Sequence, residues 1–182
     1  MSKMKTALII YWSKTGNTKK VAEAIKQGLE EAKLKVTIKR PEEAEDLDYF
    51  DYDLVCVGCP SYQWHIPEPM ARFLKKKFDI YRERGKIRLG APKVDGKRAI
   101  VFVTYSGTHT GIDEATPVGK DIGQYFEHIG FQVVAEWYVL SEFHSSKEPN
   151  REGRLGDLRG KPDPEQLQNI KDKANQMVFR LP

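Results

Sequence analysis

Apolar residues along this chain follow two rhythms, unbroken runs and runs spaced by three or four. Ala7-Leu8-Ile9-Ile10-Tyr11-Trp12 is continuous and reads as a first strand. Val21, Ala22, Ile25, Leu29 and Ala32 then recur at helical spacing, predicting an amphipathic helix over 18–32. Lys35-Val36-Thr37-Ile38-Lys39 alternates like a short strand with one wet face, and an acidic turn region follows through Asp46, Asp48, Asp51 and Asp53. Leu54-Val55-Cys56-Val57-Gly58 is continuous again, as a strand buried on both faces requires. Residues 68–81 place Met70, Phe73, Leu74 and Phe78 on one stripe, with Pro67 and Pro69 at the helix entry, where proline is tolerated. A buried strand over 99–104, a helix over 114–128, a strand over 133–140 and a closing helix over 164–177 complete the pattern. Strands interleaved with helices predict an α/β domain with a parallel sheet covered on both sides. The polar connection 141–163, with Gly153, Gly156 and Gly160, is the exception, and connections of that length are usually functional or mobile.

In an open parallel sheet, ligands bind beyond the carboxyl ends of the strands, near the point where strand order reverses. The loops leaving strands one, three and four are therefore expected to meet. They are Ser13-Lys14-Thr15-Gly16-Asn17-Thr18, then Cys59-Pro60-Ser61-Tyr62-Gln63-Trp64 with His65, then Thr104-Tyr105-Ser106-Gly107-Thr108-His109-Thr110-Gly111. All three are rich in hydroxyls, amides and aromatics, while the strands feeding them are apolar. One polar cap would mean little; three on the same edge predict a site.

The first loop suits either an ordinary helix cap or an anion. It offers the hydroxyls of Ser13, Thr15 and Thr18, the Asn17 amide and the N–H groups of a helix N-terminus, which carries roughly half a positive charge. No Gly-Lys-Ser/Thr and no Gly-x-Gly-x-x-Gly occurs, so neither a P-loop nor a dinucleotide fingerprint fits. Tyr62 and Trp64 in the second loop could flank a planar ring, and such stacking contributes roughly 1 kcal/mol beyond area burial. A phosphate at one end and an aromatic slot beside it describe a flavin mononucleotide (FMN) site.

The chain of 182 residues, 40% hydrophobic and 31% charged, reads as one domain over 1–182 that can bury a core without staples. Its net charge of +4 concentrates in 75–98, where ten basic residues face Asp79, Glu83 and Asp95. A docking patch would use that charge, but a solvated helix and connector is the favoured reading. Aromatics are not interleaved as nucleic-acid stacking platforms require, so no nucleic-acid partner is expected. No stretch approaches the ~20 apolar residues of a membrane span, and the charged start before the first strand does not make a signal segment. Cys56 and Cys59 cannot form a disulfide framework, which fits a reducing cytoplasm.

Tyr11-Trp12-Ser13-Lys14-Thr15-Gly16-Asn17-Thr18 resembles the flavodoxin phosphate loop, and it stands where that loop stands, after the first strand and before the first helix. Gly58-Cys59-Pro60-Ser61-Tyr62 is similar to the family's second flavin loop, and the segment 104–111 to its third. The resemblance implies a three-layer flavodoxin-like fold with strand order 2-1-3-4-5, FMN as cofactor, and electron transfer with a redox partner protein. It implies that Ser13, Lys14, Thr15, Gly16, Asn17 and Thr18 surround the phosphate. It also implies that Pro60, Ser61, Tyr62, Gln63, Trp64, Thr104, Tyr105, Ser106, Gly107 and Gly111 surround the ring. Electron carriers of the family are typically acidic and often have a flexible glycine in the second loop; this chain is basic and has Pro60 there instead. The third loop followed by Asp113-Glu114, and the late Gly156-Asp157-x-x-x-x-Pro162, look more like the multimeric flavodoxin quinone reductases. Three functions are therefore carried forward: an FMN electron-transfer protein, an NAD(P)H-dependent FMN quinone oxidoreductase passing electrons to a small acceptor as a homo-oligomer, and a non-redox binding module that takes up no FMN.

Other residues carry two readings each. Cys56-x-x-Cys59 could be a redox pair, but an odd spacing on a strand sends the side chains to opposite faces, so Cys56 is expected in the core and Cys59 in the loop beside the flavin. Two ligands, Cys59 and His65, are too few for a metal. His65 and His109 either donate to the ring or are exposed loop residues. Tyr105 either stacks or ends its strand, Lys14 is expected to reach water, and Trp12 to pack beside the phosphate loop. Segment 141–163 could lie across the flavin, on a neighbouring subunit or in solvent.

Overall fold

A computed structural model describes residues 5–178; the charged start at residues 1–4 lies outside the described residues. Five strands form one sheet: β1 (Thr6–Tyr11), β2 (Lys35–Lys39), β3 (Leu54–Pro60), β4 (Arg98–Tyr105) and β5 (Gln132–Leu140). All neighbours pair in parallel in the order β2-β1-β3-β4-β5. The helices are α1 (Asn17–Glu31), α2 (Glu68–Glu83), α3 (Thr116–His128), the single turn α4 (Pro149–Glu152) and α5 (Pro164–Val178).

The period-2 alternation of the strands divides the core in two. Leu8, Ile10, Val55, Val57, Val101 and Val103 face α2 and α3, where Met70, Phe73, Val118, Ile122 and Phe126 meet them. Ala7, Ile9, Leu54, Cys56, Ile100 and Phe102 face α1 and α5, against Val21, Ile25, Leu29, Ile170 and Ala174. The result is the three-layer arrangement expected of continuous apolar strands, with order reversing at β1 and β3.

Two glycines fix close approaches. A Cβ at Gly28 would sit 2.1 Å from the Lys171 carbonyl oxygen, so α1 and α5 cross through that position. Gly58 lies under the Phe102 ring of the adjacent strand, which would meet a Cβ at 2.2 Å.

Three local expectations change. Cys59 belongs to β3, not to the following loop, and is fully buried among the residues facing α2 and α3, while Cys56 lies on the opposite face. The helix expected from 114 begins at Thr116, after a 3₁₀ turn over Gly111–Glu114. Pro117 sits in the first turn of the helix, where its missing N–H leaves no bond unmade, while the Glu114 carboxylate accepts from the His109 and Thr110 N–H groups and so belongs to the turn ahead of it. Segment 141–163 is bonded along its length. Asn150, 3% exposed, donates to the Phe143 carbonyl and accepts from its N–H, both at 2.6 Å. The Arg154 N–H donates to the Thr108 carbonyl, and the Glu142 N–H to that of Lys161.

Candidate functional site

A cavity of about 630 Å³ opens at the carboxyl edge of the sheet, over the reversal point. The turn after β1 supplies Ser13, Lys14, Thr15, Asn17 and Thr18 to its lining. The turn after β3 supplies Pro60, Ser61, Tyr62 and Gln63, and the end of β4 supplies Thr104, Tyr105 and Ser106. Ser141, Glu142, Phe143, His144 and Ser145 follow β5 and close a fourth side.

The first wall is a helix N-terminus left open. Gly16, at φ 102°, turns the chain into α1, and the Ser13 hydroxyl accepts from its N–H at 3.1 Å. No side chain caps α1, so the first N–H groups of the helix have no intrahelical partner and remain available to an anion. Ordinary helix capping is thus not what this loop does. Behind it, the buried hydroxyls of Thr18 and Thr104 lie 2.7 Å apart, so each reaches the cavity already bonded to the other.

The second wall is a tight turn. Tyr62 and His65 exchange two backbone hydrogen bonds, at 3.1 and 2.9 Å, around Gln63 and Trp64. Both central residues have positive φ, 47° and 56°, a left-handed pair that glycine normally fills at less steric expense. The Ser61 N–H donates to the Thr104 carbonyl and its hydroxyl to the Glu114 carbonyl, tying this turn to the third loop. Tyr62 stands 42% exposed at the cavity, its ring edge-on to Trp12 with centroids 5.7 Å apart. Burial pushes the phenol pKa of both Tyr62 and Tyr105 up, so both stay neutral through the ordinary pH range.

Four of the residues expected at the site do not line the cavity. Gly16 acts through the backbone turn. Trp64 is 57% exposed and turned outward. Gly107 and Gly111 shape the third loop: the Gly111 N–H donates to the Gly107 carbonyl at 3.0 Å, and a Cβ at Gly107 would lie 2.7 Å from the Gly111 oxygen. His65 and His109 are exposed and also lie outside the lining. Lys14 is exposed yet lines the cavity.

Residues 141–145 are the part that sequence reasoning missed. The Ser141 N–H donates to the Tyr105 carbonyl at 2.8 Å, and Asn17 Nδ2 donates to the Glu142 carbonyl at 3.0 Å, so the segment is fastened to two other walls. The signal was present, because these residues leave the carboxyl end of a fifth parallel strand on the same edge as the other loops. Of the three placements left open for 141–163, its first residues take the one across the cavity.

Comparison with known proteins agrees with this geometry. The flavodoxin family model matches residues 9–169, and the chain belongs to that family, whose cofactor is FMN. Among solved structures it is similar to Flavodoxin 1 from Bacillus cereus at 15% identity and TM-score 0.68, covering 98% of this chain and 100% of that one. A flavodoxin from the domain Archaea matches at 17% identity and TM-score 0.58, covering 96% and 99%. The flavodiiron core of Flv1 from Synechocystis sp. PCC6803 matches at 17% identity and TM-score 0.61, covering 97% of this chain but 36% of that one.

Proposed function

We propose that the protein is an electron carrier that holds FMN in this cavity and exchanges electrons with a partner protein. The observation that carries the reading is the uncapped N-terminus of α1 opening into a cavity of about 630 Å³, a volume within the roughly 300–1,000 Å³ range of small-ligand sites. The donor set fits the group at both ends. Open helix N–H groups and the hydroxyls of Ser13 and Thr15 suit a phosphate, and Tyr62, Tyr105 and Phe143 suit a planar ring. FMN would supply the acceptance and return of electrons. The chain supplies grip, orientation and a mouth with Tyr62 and Phe143 partly exposed toward a partner. A cytoplasmic setting belongs to the same reading, with Cys56 and Cys59 kept as free thiols. Among the described residues no helix is long and apolar enough to cross a membrane.

Two measurements test it. Thr15→Val is expected to weaken FMN about tenfold, the effect of one hydrogen bond to a charged phosphate, and to leave riboflavin binding unchanged. Equal affinity for FMN in variant and wild type would return the loop to a structural role. The FMN-loaded protein is then mixed with NADPH, and separately NADH, without oxygen. The carrier reading expects the visible flavin absorbance to persist until a reductase partner is added. Rapid bleaching by the nicotinamide alone would instead assign an NAD(P)H-dependent quinone oxidoreductase. Purified protein that is colourless and takes up no FMN would leave a binding module.

A further inference from the structure

The wall built after β5 carries an imidazole to the N-terminus of α1. His144 Nε2 lies 3.3 Å from Asn17 Nδ2, and the same amide nitrogen donates to the Glu142 carbonyl at 3.0 Å. Turning the Asn17 amide over would set its oxygen against that carbonyl, so the nitrogen faces the segment. An amide nitrogen offers hydrogens and accepts nothing, so His144 Nε2 must accept, with its own proton on Nδ1. Both hydrogens of Asn17 Nδ2 are therefore used on residues 142 and 144. Asn17, 7% exposed, serves as the tether of this wall, and its side chain has no N–H left for an anion.

Protonation of His144 would bring N–H against N–H at 3.3 Å and break that contact. The side chain is exposed, so the released ring is free to turn. The direction favoured is toward a phosphate at α1, which carries about −1.5 to −2 charge near pH 7. We propose that His144 is a proton-switched anchor for the FMN phosphate. Neutral, it rests on Asn17; protonated, it donates to the phosphate, so binding of FMN takes up a proton. The inference rests on the placement of FMN in this cavity.

The other titratable groups lining the cavity do not duplicate the role. Lys14 is the only other lining cation among the described residues, and its side chain is exposed. Glu142, on the same segment as His144, accepts from the Gly160 N–H through its carboxylate at 3.0 Å. Tyr62 and Tyr105, from the turns after β3 and β4, are held neutral by burial.

The test measures dissociation constants of FMN and riboflavin between about pH 6.5 and 8.5, where the phosphate stays largely a dianion. Wild-type protein is compared with His144→Gln, whose amide oxygen can still accept from Asn17 and so preserves the wall. Wild type is expected to lose about tenfold in FMN affinity across that range. The variant is expected to be about tenfold weaker at the low end, to stay flat, and to meet wild type at the high end, with riboflavin binding alike in both proteins. Parallel FMN curves for the two proteins would overturn the proposal while leaving the cavity as the FMN site. An equal loss for riboflavin would overturn it too, because His144 would then merely support the wall. A wild type that binds FMN at no pH overturns both this inference and the placement beneath it.

Discussion

Lys75, Lys76 and Lys77 are adjacent in sequence and unlike in physics. Lys75 reaches Asp79 at 2.8 Å and Lys76 reaches Glu45 at 2.5 Å, both pairs in solvent. Lys77 is 5% exposed, and its ammonium donates to the Glu45 and Leu47 carbonyls at 2.6 Å each, holding the β2–β3 connection against α2. Removing a solvent-facing partner changes stability by about 0.5 kcal/mol or less, whereas each buried carbonyl left without a donor costs about 1–3 kcal/mol. Lys77→Met is therefore expected to destabilise by about 2–4 kcal/mol, the recovered desolvation of the charge offsetting part of the loss. Urea unfolding should show a lowered midpoint at unchanged slope, with Lys76→Met within about 0.5 kcal/mol of wild type. Equal effects in the two variants would contradict the role given to Lys77. The basic stretch 75–98 reads as a solvated surface, and for Lys75 and Lys76 it is one. Lys77 departs from it, as does half-buried Lys97, whose ammonium donates to the Phe50 and Tyr52 carbonyls; the position of Lys77 gives the reason, four residues after Phe73 and three after Leu74, on the helix's inner stripe.

At the scale of elements, periodicity carried the strands and long helices because burial on both faces of a sheet leaves little other pattern for a sequence to follow. It was weakest where polar side chains bond to backbone instead of filling a core. The turn before α3 depends on the Glu114 carboxylate, and the order within 141–163 depends on Asn150. The three loops expected to converge do so, and the residues missed belong to the fourth, since no apolar rhythm marks Ser141 to Ser145. Trp64 was expected at the ring because aromatics favour such slots, yet the left-handed turn at Gln63 and Trp64 aims it away. Asn150→Ala removes both bonds to Phe143 and exposes the dependence of this wall on one side chain. Amide hydrogen exchange is expected to rise across residues 141–161 and to stay unchanged in β1, β3 and β4, with FMN affinity falling several-fold. Protection unchanged over 141–161 would mean that the backbone bonds from Arg154 and Leu158 hold the segment by themselves.

For the molecule as a whole, the groups buried in its two half-cores set how stability responds to alkali. Burial raises the thiol pKa of Cys56 and Cys59, with Asp121 adding to the effect at Cys59, and it raises the phenol pKa of Tyr49, Tyr81 and Tyr125. In the unfolded chain a thiol ionises near pH 8.5 and a phenol near 10. Above those values the unfolded state binds fewer protons than the folded one, so stability must fall as pH rises, until the folded-state pKa values are reached. Well below about pH 8.5 the full contribution is present. Lys77 acts in the opposite sense, because burial lowers its pKa and the unfolded chain keeps that proton longer. Its gain with pH appears only as the ordinary lysine value near 10.4 is approached, so the thiols govern the first part of the alkaline limb. Each thiol contributes up to about 1.4 kcal/mol of loss per pH unit above about 8.5. Urea unfolding at pH 7, 8.5 and 9.5 should give a stability that falls by less than about 1 kcal/mol between the first two and by about 2 kcal/mol between the last two. In Cys56→Val with Cys59→Ala the loss between the last two should shrink by about 1–2 kcal/mol, whatever the packing change does to the absolute values. An alkaline limb of the same steepness in the thiol-free chain would show that the thiols do not set it, and the tyrosine cluster around Tyr49 would be the group to vary next, at higher pH.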